Sequence, residues 1–331
     1  MFIPYNHSSV RLTGRFYEEK KAVSTTACGS TIELAVKSDY VILHFDMTDL
    51  IPSYPLLYIQ IDGGDLIGSS AASRLFLRMT ENREHLIRII FQSAVEFQSR
   101  WSTPVQAKIS FEGYEAEDSG QLPADNRKTI TFIGDSITEG ILIHPDEKPY
   151  EDKLMYRVYQ DDVTRSYAWL LAEHFNLRAT FCGYGGVGFT RGGSGDVPKA
   201  QDMYDFCVEN VPYKEPYAPD YILINHGCND RGADADTYLT EYRMFLDRLT
   251  ERYPETQFII LSPFIGAFHE ELNALINTYS KEHTAKILYI DSDGWVEREP
   301  LHPLVEGHKR IAEKLIEQTE GIFDREAGSM Q

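Results

Sequence analysis

The side chains best suited to chemistry in this sequence stand where predicted strands end. Residues 129–133 form a β-branched and aromatic run typical of a buried strand, and the chain then changes to Gly134-Asp135-Ser136. A serine just past the carboxyl end of a parallel strand lies where open α/β sheets place reactive groups. Serine also favours the cap position of a helix, so Ser136 alone fits a cap as well as a nucleophile.

Three glycines after the second predicted strand match the G-x-G-x-x-G pattern of dinucleotide sites: Gly183, Gly185 and Gly188. That function requires a helix that begins within the glycines, and residues 189–195 are predicted to be loop. We therefore expect no dinucleotide cofactor. Glycines at a strand end also let backbone amides approach a ligand closely, which suits an oxyanion site.

Two further polar side chains complete the set of candidates. Asn229 follows the third strand, where its amide could donate to an oxyanion, although Asn is also a common turn former. His302 lies between Pro300 and Pro303, with Glu299 three residues before it. A carboxylate beside a histidine on a rigid turn could orient the imidazole and support its cation.

Alternating strands and helices must position these residues. Strands are predicted at 129–133, 177–182, 220–225, 257–262 and 286–290, with helices at 166–175, 239–249, 272–279 and 311–316. This alternation predicts a parallel sheet covered by helices on both faces.

The first part of the chain has a different period. Short alternating strands are predicted at 31–36, 41–45, 57–61, 74–78, 85–90 and 107–111, which indicates a β-sandwich or jelly roll. We therefore predict an α/β protein with a β-sandwich domain at 1–115, a polar linker at 116–128 and a catalytic domain at 129–331.

Composition excludes several classes of partner. The chain has 331 residues, with 32 basic and 51 acidic residues and a net charge of −19, so neither nucleic acid nor an anionic membrane is an expected partner. We find no signal peptide and no apolar run long enough to cross a bilayer. The four scattered cysteines (Cys28, Cys182, Cys207 and Cys228) indicate free thiols in a reducing compartment, so we expect a cytoplasmic protein.

Four blocks, taken in order, resemble those of the SGNH (GDSL-type) hydrolases. They are Gly134-Asp135-Ser136, Gly186, Gly227-Cys228-Asn229-Asp230 and Glu299-Pro300-Leu301-His302-Pro303. The resemblance covers residues 129 to about 320 and implies a flavodoxin-like three-layer domain. It implies Ser136 as nucleophile and His302 as base. The oxyanion hole would consist of Ser136 N–H, Gly186 N–H and the Asn229 side chain, with no metal or cofactor.

One residue departs from the family pattern. The SGNH family usually has Asp three residues before the histidine, and this chain has Glu299. Glu299 is our predicted orienting acid. The alternatives are a Ser136–His302 dyad, the carbonyl of Trp295, or a carboxylate at Asp291 or Asp293.

The β-domain before the hydrolase is similar to the arrangement in family-two carbohydrate esterases and related acetyl xylan esterases, as is the short piece Gly14-Arg15-Phe16. This resemblance implies removal of O-acetyl groups from sugars. The expected partner is an acetylated carbohydrate, and the sequence leaves open a homo-oligomer. Tyrosines suited to sugar stacking occur at Tyr150, Tyr156, Tyr159 and Tyr184. The alternatives are a lipase, lysophospholipase or thioesterase of the same fold, and a glycan-binding protein with an inactive hydrolase domain.

Overall fold

The computed structural model describes residues 1–265, 267–297 and 299–323. Antiparallel strands make up the first part of the chain, to residue 119, and a parallel sheet with helices makes up the part from residue 129. We call these the antiparallel half and the parallel half. The chain is therefore a mixed α/β protein, as its strand periodicity predicts.

Ten strands form the antiparallel half and join into one hydrogen-bonded sheet. Their bounds are β1 Phe2–Pro4, β2 Val10–Thr13, β3 Tyr17–Glu19, β4 Ala22–Thr25, β5 Thr31–Phe45, β6 Leu56–Ile61, β7 Ile67–Ser70, β8 Arg74–Ser93, β9 Ile109–Glu115 and β10 Asp118–Ser119. The main path runs β3-β4-β9-β5-β8-β6-β7, while β1 pairs with β9, and β2 and β10 pair with β5. The jelly-roll topology and the 116–128 linker stay predictions.

Two pairs of predicted strands are in fact single long strands. The predicted strands at 31–36 and 41–45 lie within β5, and those at 74–78 and 85–90 lie within β8. The breaks that the sequence predicts within each pair do not occur in β5 or β8. The ladder between β5 and β8 pairs Lys37 with Glu84 and Ser38 with Arg83 and resumes at Tyr40 with Arg78, which leaves residues 79–82 as a bulge within β8. Residues 80–84 are all exposed. A bulge of exposed polar residues interrupts the pairing here without ending the strand.

The parallel half has five parallel strands flanked by helices. The strands are β11 Thr129–Gly134, β12 Arg178–Gly183, β15 Tyr221–Asn225, β16 Gln257–Leu261 and β17 Lys286–Ile290, with a small antiparallel pair, β13 Phe206–Val208 and β14 Val211–Pro212. The helices are α1 Ser136–Glu139, α2 Lys153–Tyr156, α3 Tyr167–His174, α4 Ala200–Asp205, α5 Ala235–Arg252, α6 His269–Glu282 and α7 Val305–Thr319. Short 3-10 helices occur at Arg157–Gln160, Val163–Arg165 and Cys228–Asp230.

The strand order of this sheet, β12-β11-β15-β16-β17, is the flavodoxin-like order. Alternate strand residues face opposite sides. Phe132 and Leu223 pack in one core with helices α3 and α7, whereas Ile133 and Ile224 pack in another with α5 and α6. In such sheets ligands bind at the carboxyl ends of the strands where the order reverses, which here is between β11 and β15.

The antiparallel half packs directly against the parallel half. One apolar core contains residues from both, including Ile32 and Phe91 from the first and Trp169 and Phe181 from the second. At Gly29 (φ +88°) an added Cβ atom would lie 2.4 Å from the Phe181 ring, so this contact leaves no space for a side chain.

Candidate active site

Ser136 is presented by the turn between β11 and α1. Asp135 caps the helix, and its Oδ1 accepts a hydrogen bond from Ile137 N at 3.0 Å. The turn is tight: an added Cβ on Gly134 would lie 1.9 Å from Thr138 Oγ1. Ser136 is the first residue of α1, so its N–H has no intrahelical acceptor and is available to an incoming anion.

His302 comes to Ser136 from the loop before α7. Its Nε2 lies 2.9 Å from Ser136 Oγ, although the two residues are 166 positions apart. This distance is within hydrogen-bonding range for a nucleophile and its base. Burial lowers the pKa of His302 below its ordinary value, and the charges of Arg157 and Arg231 act in the same direction, while Glu96 opposes them.

The carboxylates considered for His302 lie in different surroundings. The side chain of Glu299 is exposed, and within the described ranges of the chain it has no hydrogen bond or ion pair to His302. Asp291 accepts from His269 Nδ1 at 2.8 Å and from Ser262 Oγ at 3.2 Å, so it serves another histidine. Asp293 is exposed. The geometry assigns none of these three carboxylates to His302.

The glycine segment after β12 forms a loop over the site, with no helix starting within its glycines. Gly186 has φ +76°, in the left-handed region that favours glycine. Asp230 fixes the loop beyond it, accepting from Phe189 N at 3.0 Å and Thr190 N at 2.7 Å. At Gly188 a Cβ would lie 2.6 Å from both Asp230 carboxylate oxygens, which accounts for this glycine without a dinucleotide.

Asn229 lies beside the turn that carries Ser136. Its Nδ2 donates to Val187 O at 3.0 Å and to Asp135 Oδ2 at 3.3 Å. The amide therefore joins the glycine loop to the residue before Ser136. Burial and the charge of Asp230 raise the pKa of Asp135 to about 7, and the hydrogen bond from Ile137 N partly offsets them.

Four charged residues at the site were not singled out by sequence reasoning. Arg100 and Glu96 come from the segment after β8, while Glu139 and Arg157 come from the parallel half. Arg100 pairs with Glu139 and Arg157 with Glu96, and the side chains of Arg100, Glu139 and Arg157 are at most 3% exposed. Only Glu139 has a local signal, since it stands three residues after Ser136 in the same buried turn.

The tyrosines that we considered for sugar stacking differ in accessibility. Tyr184 is buried at 1% exposure against Thr26 and Arg100, so its ring is not available to a ligand. Tyr150 is 50% exposed, and its ring lies 5.9 Å from that of the half-buried Tyr159. Of these tyrosines, only those in the 150–159 segment are accessible enough to stack on a sugar.

No three His, Cys, Asp or Glu side chains within residues 1–265, 267–297 and 299–323 are grouped to hold a metal ion. No helix in that part of the chain is long and apolar enough to span a bilayer. All four cysteines are buried and free, as their scattered positions predict.

Comparison with known proteins identifies the family. The model of the GDSL-like lipase/acylhydrolase family matches residues 132–310. No curated protein sequence matches the chain. Among solved structures, a family-two carbohydrate esterase from Cellvibrio japonicus is 19% identical and has a TM-score of 0.81, with 98% of each chain covered.

Two further structures show the same two-part architecture. An acetyl xylan esterase from the rumen bacterium Butyrivibrio proteoclasticus is 17% identical, with TM-score 0.77 and 97% of this chain and 98% of that chain covered. A family-two carbohydrate esterase from Clostridium thermocellum in complex with cellohexaose is 18% identical, with TM-score 0.76 and 94% and 98% covered. At these identities the likeness establishes the fold, whereas the family match covers more than half of the sequence. The chain belongs to the GDSL-like lipase/acylhydrolase family and is a carboxylic ester hydrolase.

Proposed function

We propose that this protein removes O-acetyl groups from acetylated oligo- or polysaccharides, with Ser136 as nucleophile and His302 as general base. The observation that carries the proposal is the 2.9 Å contact between Ser136 Oγ and His302 Nε2 in a chain of this family. The carbohydrate substrate is supported by the likeness of the whole chain, both halves included, to structures described as family-two carbohydrate esterases and an acetyl xylan esterase.

The first half-reaction forms an acetyl-enzyme. Ser136 Oγ gives its proton to His302 Nε2 and attacks the acetyl carbonyl carbon, whose oxygen becomes an oxyanion. The N–H groups of Ser136 and Gly186 and the Asn229 amide are the proposed donors to that oxyanion. When the intermediate collapses, the C–O bond to the sugar breaks and His302 returns the proton to the leaving alcohol.

Water completes the cycle. His302, neutral again, accepts a proton from a water molecule that attacks the acetyl carbonyl, and Ser136 leaves with the proton while acetate is released. The base must be neutral to act, and the burial that lowers the pKa of His302 keeps it neutral at pH 7. We therefore expect kcat/KM to fall only when the pH drops below the ordinary pKa of histidine.

Three substrates test the proposal: acetylated xylan, acetylated xylo-oligosaccharides and p-nitrophenyl esters of increasing chain length. We expect acetate release from the acetylated sugars and faster turnover of p-nitrophenyl acetate than of the octanoate. Equal or faster turnover of the octanoate would instead assign the protein to the lipase or thioesterase class.

Ser136→Ala and His302→Ala identify the reacting groups. Both substitutions should abolish turnover of p-nitrophenyl acetate. Ser136→Ala should leave the unfolding midpoint unchanged, because it removes only one oxygen atom. If the Ser136→Ala variant kept more than a small fraction of the wild-type activity, Ser136 would be excluded as the nucleophile. A wild-type protein that binds acetylated xylan but hydrolyses none of these esters would be a glycan-binding protein.

A further inference from the structure

The antiparallel half places a carboxylate at the active site. Glu96 follows β8, and its Oε1 accepts a hydrogen bond from Arg157 Nη2 at 2.8 Å. Arg157 is buried and also pairs with Asp161, so the guanidinium that holds Glu96 is itself fixed. Because Asp161 also holds Arg157, this guanidinium fixes the position of the Glu96 carboxylate.

The second oxygen of Glu96 points at the glycine loop. An added Cβ on Gly185 would lie 2.7 Å from Glu96 Oε2, so the carboxylate lies against the residue before Gly186. The negative charge of Glu96 also raises the pKa of His302, against the larger effect of burial, so the two side chains interact electrostatically.

Glu96 Oε2 is free to accept a hydrogen bond. Its side chain is 13% exposed, and within the described part of the chain the only polar contact of the carboxylate is the one between Oε1 and Arg157. An ionised carboxylate that is partly removed from water gains from an additional donor. An apolar acyl chain would offer no such donor and would desolvate the charge, whereas a hydroxyl group satisfies it.

Two exposed aromatic rings lie on the chain segments that carry Glu96 and lead to Arg157. Phe97, next to Glu96 in the chain, and Tyr150 are each 50% exposed. Lys153 Nζ lies 5.4 Å from the centre of the Phe97 ring, so the segment after β8 and the segment before Arg157 meet beside the pair. Exposed ring faces on the segments that also hold a hydrogen-bond acceptor suit a sugar, which offers C–H faces and hydroxyl edges.

We propose that Glu96 determines substrate specificity by accepting a hydrogen bond from a free hydroxyl of the sugar that carries the acetyl group. This inference rests on the proposed function and names the part of the substrate that the antiparallel half recognises. The carboxylate also disfavours acidic sugars at this position, because two like charges would come together in a partly buried site.

The test compares a substrate that has free hydroxyl groups with one that has none. Glu96→Gln keeps the shape and an acceptor for Arg157 but removes the charge, and it is assayed on mono-acetylated methyl β-xyloside and on p-nitrophenyl acetate. A hydrogen bond to a charged group contributes more binding energy than one between neutral groups. We therefore expect kcat/KM on the xyloside to fall about tenfold or more, mainly through KM. The loss on p-nitrophenyl acetate should be several times smaller.

Glu84→Gln serves as the matched control. It removes an exposed charge from β8, roughly 12 residues along the chain from Glu96, and should leave both rates unchanged. The pH profile of Glu96→Gln on p-nitrophenyl acetate is a second readout. Loss of the negative charge lowers the pKa of His302, so the acidic limb should move to lower pH, with Arg157 and Arg231 as the remaining charges that act on it.

Two results would overturn the inference in distinguishable ways. If Glu96→Gln lowers kcat/KM equally on both substrates, Glu96 only braces Arg157 or supports His302, and hydroxyl recognition is excluded while the esterase proposal stands. If the wild-type enzyme hydrolyses p-nitrophenyl acetate but not the acetylated xyloside, the carbohydrate function itself fails and this inference fails with it.

Discussion

The guanidinium of Arg100, in the antiparallel half, donates a hydrogen bond to the carboxylate of Glu139, three residues after Ser136. Their side chains are 1% and 3% exposed. The other carboxylate oxygen of Glu139 accepts from Gly185 N at 3.0 Å, and Arg100 Nη2 also donates to Thr26 O at 2.6 Å. The antiparallel half therefore holds both the serine turn and the glycine loop through one buried ion pair.

Arg100→Met should destabilise the protein strongly, because it leaves Glu139 buried without its cation. Breaking such a pair typically costs about 3–5 kcal/mol in the free energy of unfolding, measured here by urea denaturation. The double variant Arg100→Met/Glu139→Gln removes the stranded charge and should recover part of that loss. A loss below about 1 kcal/mol in the single variant would show that the pair contributes no more than a surface ion pair.

Asn229→Ala should lower kcat by about 100–1,000-fold with little change in KM, since a donor to the oxyanion acts mainly in the transition state. The amide also links Asp135 to Val187, so the unfolding midpoint must be measured beside the rates. A change confined to KM, or a loss of rate that follows the loss of folded protein, would assign Asn229 to the turn instead.

Glu299→Gln tests whether an acid orients His302. The carboxylate is exposed, and exposed ion pairs contribute at most about 1 kcal/mol, so we expect kcat on p-nitrophenyl acetate to fall no more than about fivefold. That result would favour a Ser136–His302 dyad. A loss approaching that of His302→Ala would mean that Glu299 reaches the imidazole during turnover, as the family pattern implies.

His308 should make the fold sensitive to acid. It is buried, its Nδ1 accepts from Tyr167 N at 3.1 Å, and burial, with a smaller effect from His302, lowers its pKa to about 3. The pKa of His308 is lower in the folded state than in the unfolded state. The stability that its neutral form contributes is therefore fully present above pH 6.5 and is lost as the pH falls toward 3. One proton corresponds to about 1.4 kcal/mol per pH unit.

The variant His308→Asn isolates that effect, because the Asn oxygen can still accept from Tyr167 N and does not titrate. Between about pH 6 and pH 4.5 the free energy of unfolding should fall with pH less steeply in His308→Asn than in the wild type. The two slopes should differ by about 1.4 kcal/mol per pH unit. His226, whose pKa burial lowers to about 4, contributes to both slopes. Parallel curves would exclude His308 as an acid-sensitive group.

The sequence was informative wherever the signal is local. The five parallel strands could be predicted from apolar runs, and the neighbourhood of Ser136 and His302 from four short blocks that each end a strand or precede a helix. The continuous strand β8 could not, since its exposed polar central residues look like a turn, and only the pairing with β5 on either side of them shows a single strand.

The charged pairs that connect the halves were also beyond the reach of sequence reasoning. Arg100 and Glu139 are 39 positions apart, and Glu96 and Arg157 are 61 apart. No periodicity links residues at such separations, and each of them looks like an ordinary surface charge in its own segment. Only the folded arrangement shows that three of the four are desolvated at the site.

The close contact between Gly29 and Phe181 bears on how the chain is made. Ribosomes add about 5–20 residues per second, so the surface around Gly29 is synthesised roughly 8–30 s before the ring that covers it. During that interval the nascent antiparallel half exposes apolar surface that only later residues can shield. The same contact constrains recombination between genes. A foreign segment joined near residue 128 would have to supply its own side chain to pack against Gly29.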